Sequence, residues 1–140
     1  MRIGIDAKRA YQNKSGLGNY SRDIISSLIK EEMIDIQLFT PEIKNQFFET
    51  PEKIKVHTPK IKLLKNYWRL FSVKKIIQKE KIEIFHGLSN EIPIGLTKKT
   101  KSVVTIHDVI FKKYPYFYNF FDRFIYEKKT EYACKRANKI

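Results

Sequence analysis

The sequence predicts an α/β protein, a single Rossmann-like domain over residues 1–140 with a parallel sheet and helices on both faces of that sheet. Two observations lead to this fold class. Short apolar runs alternate along the chain with longer segments whose apolar residues recur every three or four positions, as in a parallel sheet with helical crossovers. The composition, 42% hydrophobic and 14% aromatic, excludes a disordered chain, and 140 residues are enough for one core.

The predicted strands are short and each is followed by a polar or proline-containing loop. The first strand is Arg2–Asp6, and the four others are Asp35–Thr40, Lys53–His57, Ile82–His86 and Ser102–His107. After a polar loop over 7–15, a helix begins at Gly16. Its apolar stripe consists of Tyr20, Ile24, Ile25, Leu28 and Ile29.

Two further helical regions are predicted. The stretch Ile61–Lys81 should form two pieces with a break near Ser72, because its apolar stripe changes face there. The first piece presents Leu64, Tyr67, Trp68 and Phe71, and the second Val73, Ile76 and Ile77. A last helix over 118–137 is expected to direct four side chains towards the core: Phe121, Phe124, Ile125 and Tyr132. The ending Asn138-Lys139-Ile140 suggests a turn into another strand, so we expect the chain to be part of a longer protein.

Several classes of protein do not fit this composition. No run of about 18 apolar residues is present to span a membrane, and the N-terminus lacks a signal-peptide pattern. A single cysteine, Cys134, excludes a disulfide framework and fits a cytoplasmic protein. The three histidines and this cysteine lack the spacing of metal ligands, so neither a metal nor another cofactor is expected.

The net charge of +13 comes mainly from lysines dispersed along the chain. It is compatible with a solvated basic exterior or with a face that binds an anionic membrane or a phosphate group. Nucleic acid is the least favoured partner, because no known nucleic-acid module is present. The basic stretch 60–81 is one candidate membrane face, with Trp68 and Phe71 at the bilayer and Lys62, Lys65 and Arg69 at headgroups. The alternative is that its aromatic rings pack as core.

Candidate ligand-binding residues lie where predicted strands end, the edge at which α/β sheets bind ligands. Gly16-Leu17-Gly18 follows the first strand and opens a helix, so its backbone N–H groups could meet a phosphate. Its spacing matches neither a dinucleotide fingerprint nor a P-loop. The alternative is that the glycines only turn the chain into the helix.

Two histidines also follow predicted strands. His107 and Asp108 come directly after the apolar run 103–106, where an imidazole can hydrogen-bond a sugar hydroxyl or a phosphate. His86 ends the preceding strand. Either histidine could instead be a structural, hydrogen-bonded loop residue, and Asp108 could orient its loop without touching a ligand.

Four segments, in this order, resemble retaining glycosyltransferases of family 4. They are Arg2 to Arg9 with Ser15 to Tyr20, Ile82 to Gly87, Thr105 to Asp108, and Tyr132 to Ile140. The resemblance covers essentially the whole chain. It implies the N-terminal half of a GT-B enzyme, which holds the acceptor, whereas a second lobe absent here would hold most of a nucleotide-sugar donor.

The resemblance also implies roles for individual residues. Gly16, Leu17 and Gly18 would bind the donor diphosphate, and His107 would contact the donor sugar with Asp108 supporting its loop. Four residues are candidates for the acceptor side: Arg9, Asn19, Tyr20 and His86. The reaction would be a metal-independent hexosyl transfer that retains configuration, onto a glycan or lipid-linked acceptor in cell-surface polysaccharide synthesis. The expected location is cytoplasmic or peripheral on the inner face of the membrane.

Two other functions remain open. A non-catalytic basic α/β module that binds an anionic membrane or RNA would fit the charge. A receiver-like binding module fits less well, because the first strand ends in a lone Asp6 followed by a basic loop.

Overall fold

The computed structural model describes residues 1–44 and 46–140. In that part of the chain, five strands form one parallel sheet in the order β3-β2-β1-β4-β5. They are β1 (Arg2–Asp6), β2 (Asp35–Phe39), β3 (Lys55–His57), β4 (Ile84–Gly87) and β5 (Lys101–Val104). The predicted α/β class with a parallel sheet is therefore confirmed.

The helices are α1 (Lys8–Gln12), α2 (Gly16–Ile29), α3 (Lys65–Tyr67), α4 (Val73–Lys79), α5 (Ile110–Lys113) and α6 (Phe120–Arg136). The three predicted helical regions are present, but the prediction of a loop over 7–15 is wrong, because α1 lies within it, and α5 was not predicted. Short 3-10 turns lie at Lys62–Leu64 and Pro115–Phe117. None of the helices in the described part of the chain is both long and apolar enough to cross a membrane.

The sheet is covered on both faces because side chains alternate along each strand. On one face Ile5 and Leu38 pack in a buried cluster with Ile25 of α2. On the other face Phe39 and Phe85 pack with residues of the 68–77 region. Gly4 lies on this second face, where an added Cβ would come within 2.9 Å of the Phe39 ring. A larger residue at that position would separate the sheet from its helices.

Instead of the predicted break near Ser72, residues 65–79 are helical throughout, with a turn of π-helix over Trp68–Ser72. The backbone N–H of Val73 donates to the Trp68 carbonyl, five residues earlier. This wider turn brings Trp68 onto the same side as Val73 and Ile77, so all three are buried together. Trp68, only 7% exposed, is therefore core, the second of the two interpretations of the stretch 60–81, whereas Phe71 is 38% exposed.

Helix α6 packs differently from the prediction. Ala133 is buried against Val104 and Ile92, and Tyr132 is packed beside them, as expected. Phe121, Phe124 and Ile125 are exposed, so the prediction that they point to the core is wrong for these residues. The helix begins after Asn119, whose side-chain oxygen accepts a hydrogen bond of 2.8 Å from the Asp122 N–H.

Candidate ligand site at the carboxyl edge of the sheet

A cavity of about 310 Å³ lies beyond the carboxyl ends of β1, β4 and β5. Its polar wall contains Lys8, Arg9, Ser89, Asn90, His107 and Asp108, and its apolar wall contains Leu17, Phe111, Tyr118 and Tyr126. Of the residues singled out from the sequence, Arg9, Leu17, His107 and Asp108 line this cavity. The others, Gly16, Gly18, Asn19, Tyr20 and His86, lie outside its lining.

His107 is held in one orientation by its neighbours. Its Nε2 lies 2.8 Å from the Leu88 carbonyl oxygen, which can only accept, so in the neutral ring Nε2 carries the hydrogen. The ring edge also meets the ring of Tyr20, with the centroids 4.9 Å apart. Nδ1 is thereby left as a hydrogen-bond acceptor. A ligand hydroxyl could donate to this nitrogen.

The loop that carries His107 is fastened by Asn90. β5 ends at Val104, three residues before the strand end predicted from the sequence. Beyond it, the Asn90 N–H donates to the Thr105 carbonyl at 2.9 Å, and the Asn90 side chain accepts from the His107 N–H at 3.2 Å. The same side-chain amide donates to the Asp108 carbonyl at 3.1 Å. Asn90 has a φ of +56°, a left-handed conformation that asparagine tolerates better than most residues.

Asp108 acts on the backbone of its own loop. Its carboxylate accepts a hydrogen bond of 3.1 Å from the Ile110 N–H, at the start of α5. This contact stabilises the turn that follows His107. Asp108 is therefore a positioning residue in this structure.

The glycines at the start of α2 have different environments. A Cβ on Gly18 would lie 1.9 Å from the Asn13 carbonyl oxygen, whereas one on Gly16 would meet nothing within 4 Å. The Gly18 N–H already donates to the Ser15 carbonyl at 2.9 Å. Gly18 thus permits close packing of the loop, while the N–H groups of Gly16 and Leu17 have no partner in the described part of the chain. These two groups are the ones free to bind an anion.

His86 lies behind the cavity. Its Nε2 is 3.0 Å from Thr105 Oγ1, and the Tyr20 hydroxyl is 3.2 Å from the same oxygen. Burial lowers the pKa of His86, which favours the neutral ring. The side chain of Asn19 is also hydrogen-bonded within the protein, since its oxygen accepts from Arg22 at 2.5 Å. Tyr20 and His86 therefore support the His107 loop from behind.

A buried ion-pair network, which sequence reasoning missed, forms part of the cavity wall through Glu91 and Lys129. Arg69 donates to Asp6 at 2.6 Å and also to Glu91, and Lys129 of α6 lies 3.0 Å from Glu91. Burial alone would lower the pKa of Arg69, but the two carboxylates outweigh burial and raise it. Burial likewise opposes ionisation of Glu91, yet Arg69 and Lys129 hold its pKa below the usual range. Arg69 is only 8% exposed, so the expectation that it meets lipid headgroups is wrong.

Two cations on the cavity wall lie outside the ion-pair network. Lys8 and Arg9 form no ion pair within the described residues, although Arg9 Nε donates to the Ser89 hydroxyl at 3.2 Å. Burial, together with the nearby Arg69 charge, lowers the pKa of Lys8 to about 8, although the charges of Glu91 and Asp6 act on Lys8 and partly raise its pKa. A bound anion would offset both effects, so this wall favours a negatively charged ligand group.

Residues with metal-binding side chains do not cluster at this edge. In 1–44 and 46–140, no three histidine, cysteine, aspartate or glutamate side chains are grouped so that they could hold a metal ion. Comparison of the chain with models of protein families, with curated proteins and with solved structures finds no match.

Proposed function

We propose that this chain is the N-terminal, acceptor-side domain of a retaining, metal-independent glycosyltransferase. The enzyme would move a hexosyl group from a nucleotide-sugar to a glycan or lipid-linked acceptor in cell-surface polysaccharide synthesis. One observation supports it above the others. The His107-Asp108 loop, Leu17 at the start of α2, and the cations Lys8 and Arg9 all line one cavity at the carboxyl edge of a parallel sheet.

The donor diphosphate is assigned to the start of α2. The N–H groups of Gly16 and Leu17 have no partner within 1–44 and 46–140, and the end of the helix dipole there is positive. Lys8 and Arg9 add positive charge to the same cavity. Negative charge develops on a departing nucleoside diphosphate, so preorganised donors and cations at this point would lower the barrier to transfer.

His107 is assigned to the donor sugar. With Nε2 engaged by Leu88, Nδ1 would accept a hydrogen bond from a sugar hydroxyl and orient the reacting carbon. The surrounding residues keep this nitrogen in place: Asn90 and Asp108 through the backbone of the loop, and Tyr20 through its ring. His107 thus orients the donor and is not a nucleophile in this proposal.

The acceptor is assigned to the remainder of the cavity. Arg9 lines it directly, and Asn19, Tyr20 and His86 contribute by supporting the walls. The aromatic wall formed by Phe111, Tyr118 and Tyr126 fits a sugar ring or the polar end of a lipid carrier. The proposed location is the cytoplasm, at the inner face of the membrane, where lipid-linked acceptors are presented.

The test is the His107→Ala substitution in the complete protein, which would include the donor lobe. We expect kcat, measured as nucleoside diphosphate released on sugar transfer, to fall by roughly 10²-fold, with little change in melting temperature. The 140-residue chain alone should show no turnover.

The matched control is His57→Ala. His57 lies in β3 at the other edge of the sheet, where its Nε2 is 2.7 Å from the Gln37 side-chain oxygen. This control should keep its kcat. If the His107 variant retains activity but melts at a lower temperature, His107 has only a structural role and the assignment fails.

A further inference from the structure

Helix α6 has two opposite faces, and only one of them is covered. Thr130 and Ala133 are buried on the covered face, where Tyr126 also lines the cavity. At about 100° per residue, Phe120, Phe121 and Phe124 lie on the opposite side of the helix. Phe121 is 76% exposed and Phe124 is 52% exposed. Burial of α6 on the sheet therefore leaves its aromatic residues in solvent.

The segment before α6 extends this surface. Tyr114, Tyr116 and Phe117 contact one another, and the Tyr116 and Phe117 ring centroids are 4.7 Å apart. Phe117 is 71% exposed. We define the aromatic face as Tyr114, Tyr116, Phe117, Phe120, Phe121, Phe124 and Ile125. It combines two groups of exposed rings that are neighbours in the chain, and so many exposed rings are unusual in a protein that has no partner for them.

Cations are interleaved with these rings. Lys113 lies 5.6 Å from the centroid of the Tyr114 ring, Arg123 lies 5.8 Å from that of Phe120, and Lys128 lies 5.6 Å from that of Phe124. Two of the nearby carboxylates are paired, since Glu127 lies 3.5 Å from Lys112 and Glu131 lies 3.6 Å from Lys128. Asp122 accepts at 2.5 Å from the neutral side-chain amide of Asn119, which carries no balancing charge. Lys113 and Arg123 form no ion pair within the described residues, so the charge offered to a partner is weakly positive.

We propose that the aromatic face docks on an anionic phospholipid bilayer. Aromatic rings are stable at the boundary between headgroups and acyl chains, where the cations beside them can meet lipid phosphates. A second copy of this chain is a poor occupant, because each copy carries a net charge of +13 and the same cations around the face. The bilayer matches both the apolar and the cationic parts of the surface.

Docking in this way would also bring the cavity near the membrane, about one helix diameter (~10 Å) from it, because the cavity lies on the opposite side of α6. Tyr118 and Tyr126 belong to the same segment as the aromatic face, and both line the cavity. A lipid-linked acceptor could then reach the cavity with its carrier still in the bilayer, a consequence that rests on the proposed function. The docking itself needs neither a donor lobe nor catalysis.

Co-sedimentation of the 140-residue chain with vesicles tests the docking. The vesicles are either pure phosphatidylcholine or an equal mixture of phosphatidylcholine and phosphatidylglycerol. We expect binding to the mixed vesicles only, reversed by high salt. The double variant Phe121→Gln with Phe124→Gln should weaken binding roughly tenfold or more, because two rings no longer enter the interface. Glutamine is a good helix former and both positions are exposed, so the melting temperature should stay unchanged.

The matched control is Leu63→Gln, which removes a side chain that is 93% exposed in the basic stretch 60–81. This variant should bind like the unmodified chain. Weaker binding in this control with no loss in the double variant would assign membrane contact to that stretch and overturn the proposal. Three other results would overturn it as well: no binding to either vesicle, tighter binding to a single-stranded RNA than to mixed vesicles, or dimerisation lost in the double variant.

Discussion

Helices α2 and α6 both carry an apolar stripe in the sequence, but only the stripe of α2 packs on the sheet. Ile25 of α2 is fully buried in the cluster beneath β1 and β2. In α6 the stripe that contains Phe121 and Ile125 faces solvent. The difference shows that an apolar stripe identifies a helix, whereas the face that packs depends on what the rest of the chain offers.

The packed face of α6 carries short and polar side chains where the helix comes closest to the sheet, with the ring of Tyr132 beside them. Thr130 and Ala133 allow a close approach to β5, and Lys129 reaches Glu91 in the buried ion-pair network. This network ties α6 to the end of β1, because Arg69 bridges Glu91 and Asp6. A large ring in place of Thr130 or Ala133 would prevent such a close approach. Phe120, Phe121 and Phe124 lie on the other side of the helix, where they remain available for a partner.

The largest loss of stability is expected from Arg69→Met. This substitution leaves the Asp6 carboxylate buried without its cation, which should lower the free energy of unfolding by about 3–5 kcal/mol in urea denaturation. Arg123→Met, which removes a cation of similar size from the aromatic face, should change it by less than about 0.5 kcal/mol. Similar losses of unfolding free energy in both variants would mean that the buried ion-pair network stabilises the fold no more than an exposed charge does.

A smaller loss of stability is expected when an isoleucine is replaced by alanine, first in the apolar stripe of α2 and then in that of α6. Ile25→Ala should lower the free energy of unfolding by about 2–4 kcal/mol, because it opens a cavity in the core. Ile125→Ala should lower it by less than about 1 kcal/mol, because the side chain is already 46% exposed. Urea denaturation of the two variants measures the difference. Equal losses would show that the α6 stripe is buried in solution.

Sequence periodicity predicted the sheet and most helix positions because these depend on local alternation. β1 has the predicted bounds, and α2 begins at the predicted Gly16. The predicted change of stripe near Ser72 corresponds to the π turn, but the predicted break was wrong, because the helix is not interrupted there. The orientation of α6 was not predictable in this way, because it depends on Glu91 and Lys129, which are distant in sequence.

The sequence identified the site only in part. Strand ends pointed to Arg9, Leu17, His107 and Asp108, all of which line the cavity. Other lining residues, Tyr118 and Tyr126, come from a segment that was interpreted only as an inward-packing helix. The role of Asn90 was also missed, because its contacts with the His107 loop join residues from two different strand ends. A left-handed asparagine in a loop gives no distinct sequence pattern.

The proposed donor site is tested most directly by titrating the 140-residue chain with UDP and with GDP, observed by amide nuclear magnetic resonance. One of the two nucleotides is predicted to shift the Gly16 and Leu17 amides saturably, with a smaller shift at His107 and none at Ile125. Lys8→Gln should weaken the response, because it removes a cation from the cavity wall. Unchanged Gly16 and Leu17 amides with both nucleotides, or weak shifts spread evenly over the lysine-rich surface, would contradict the account.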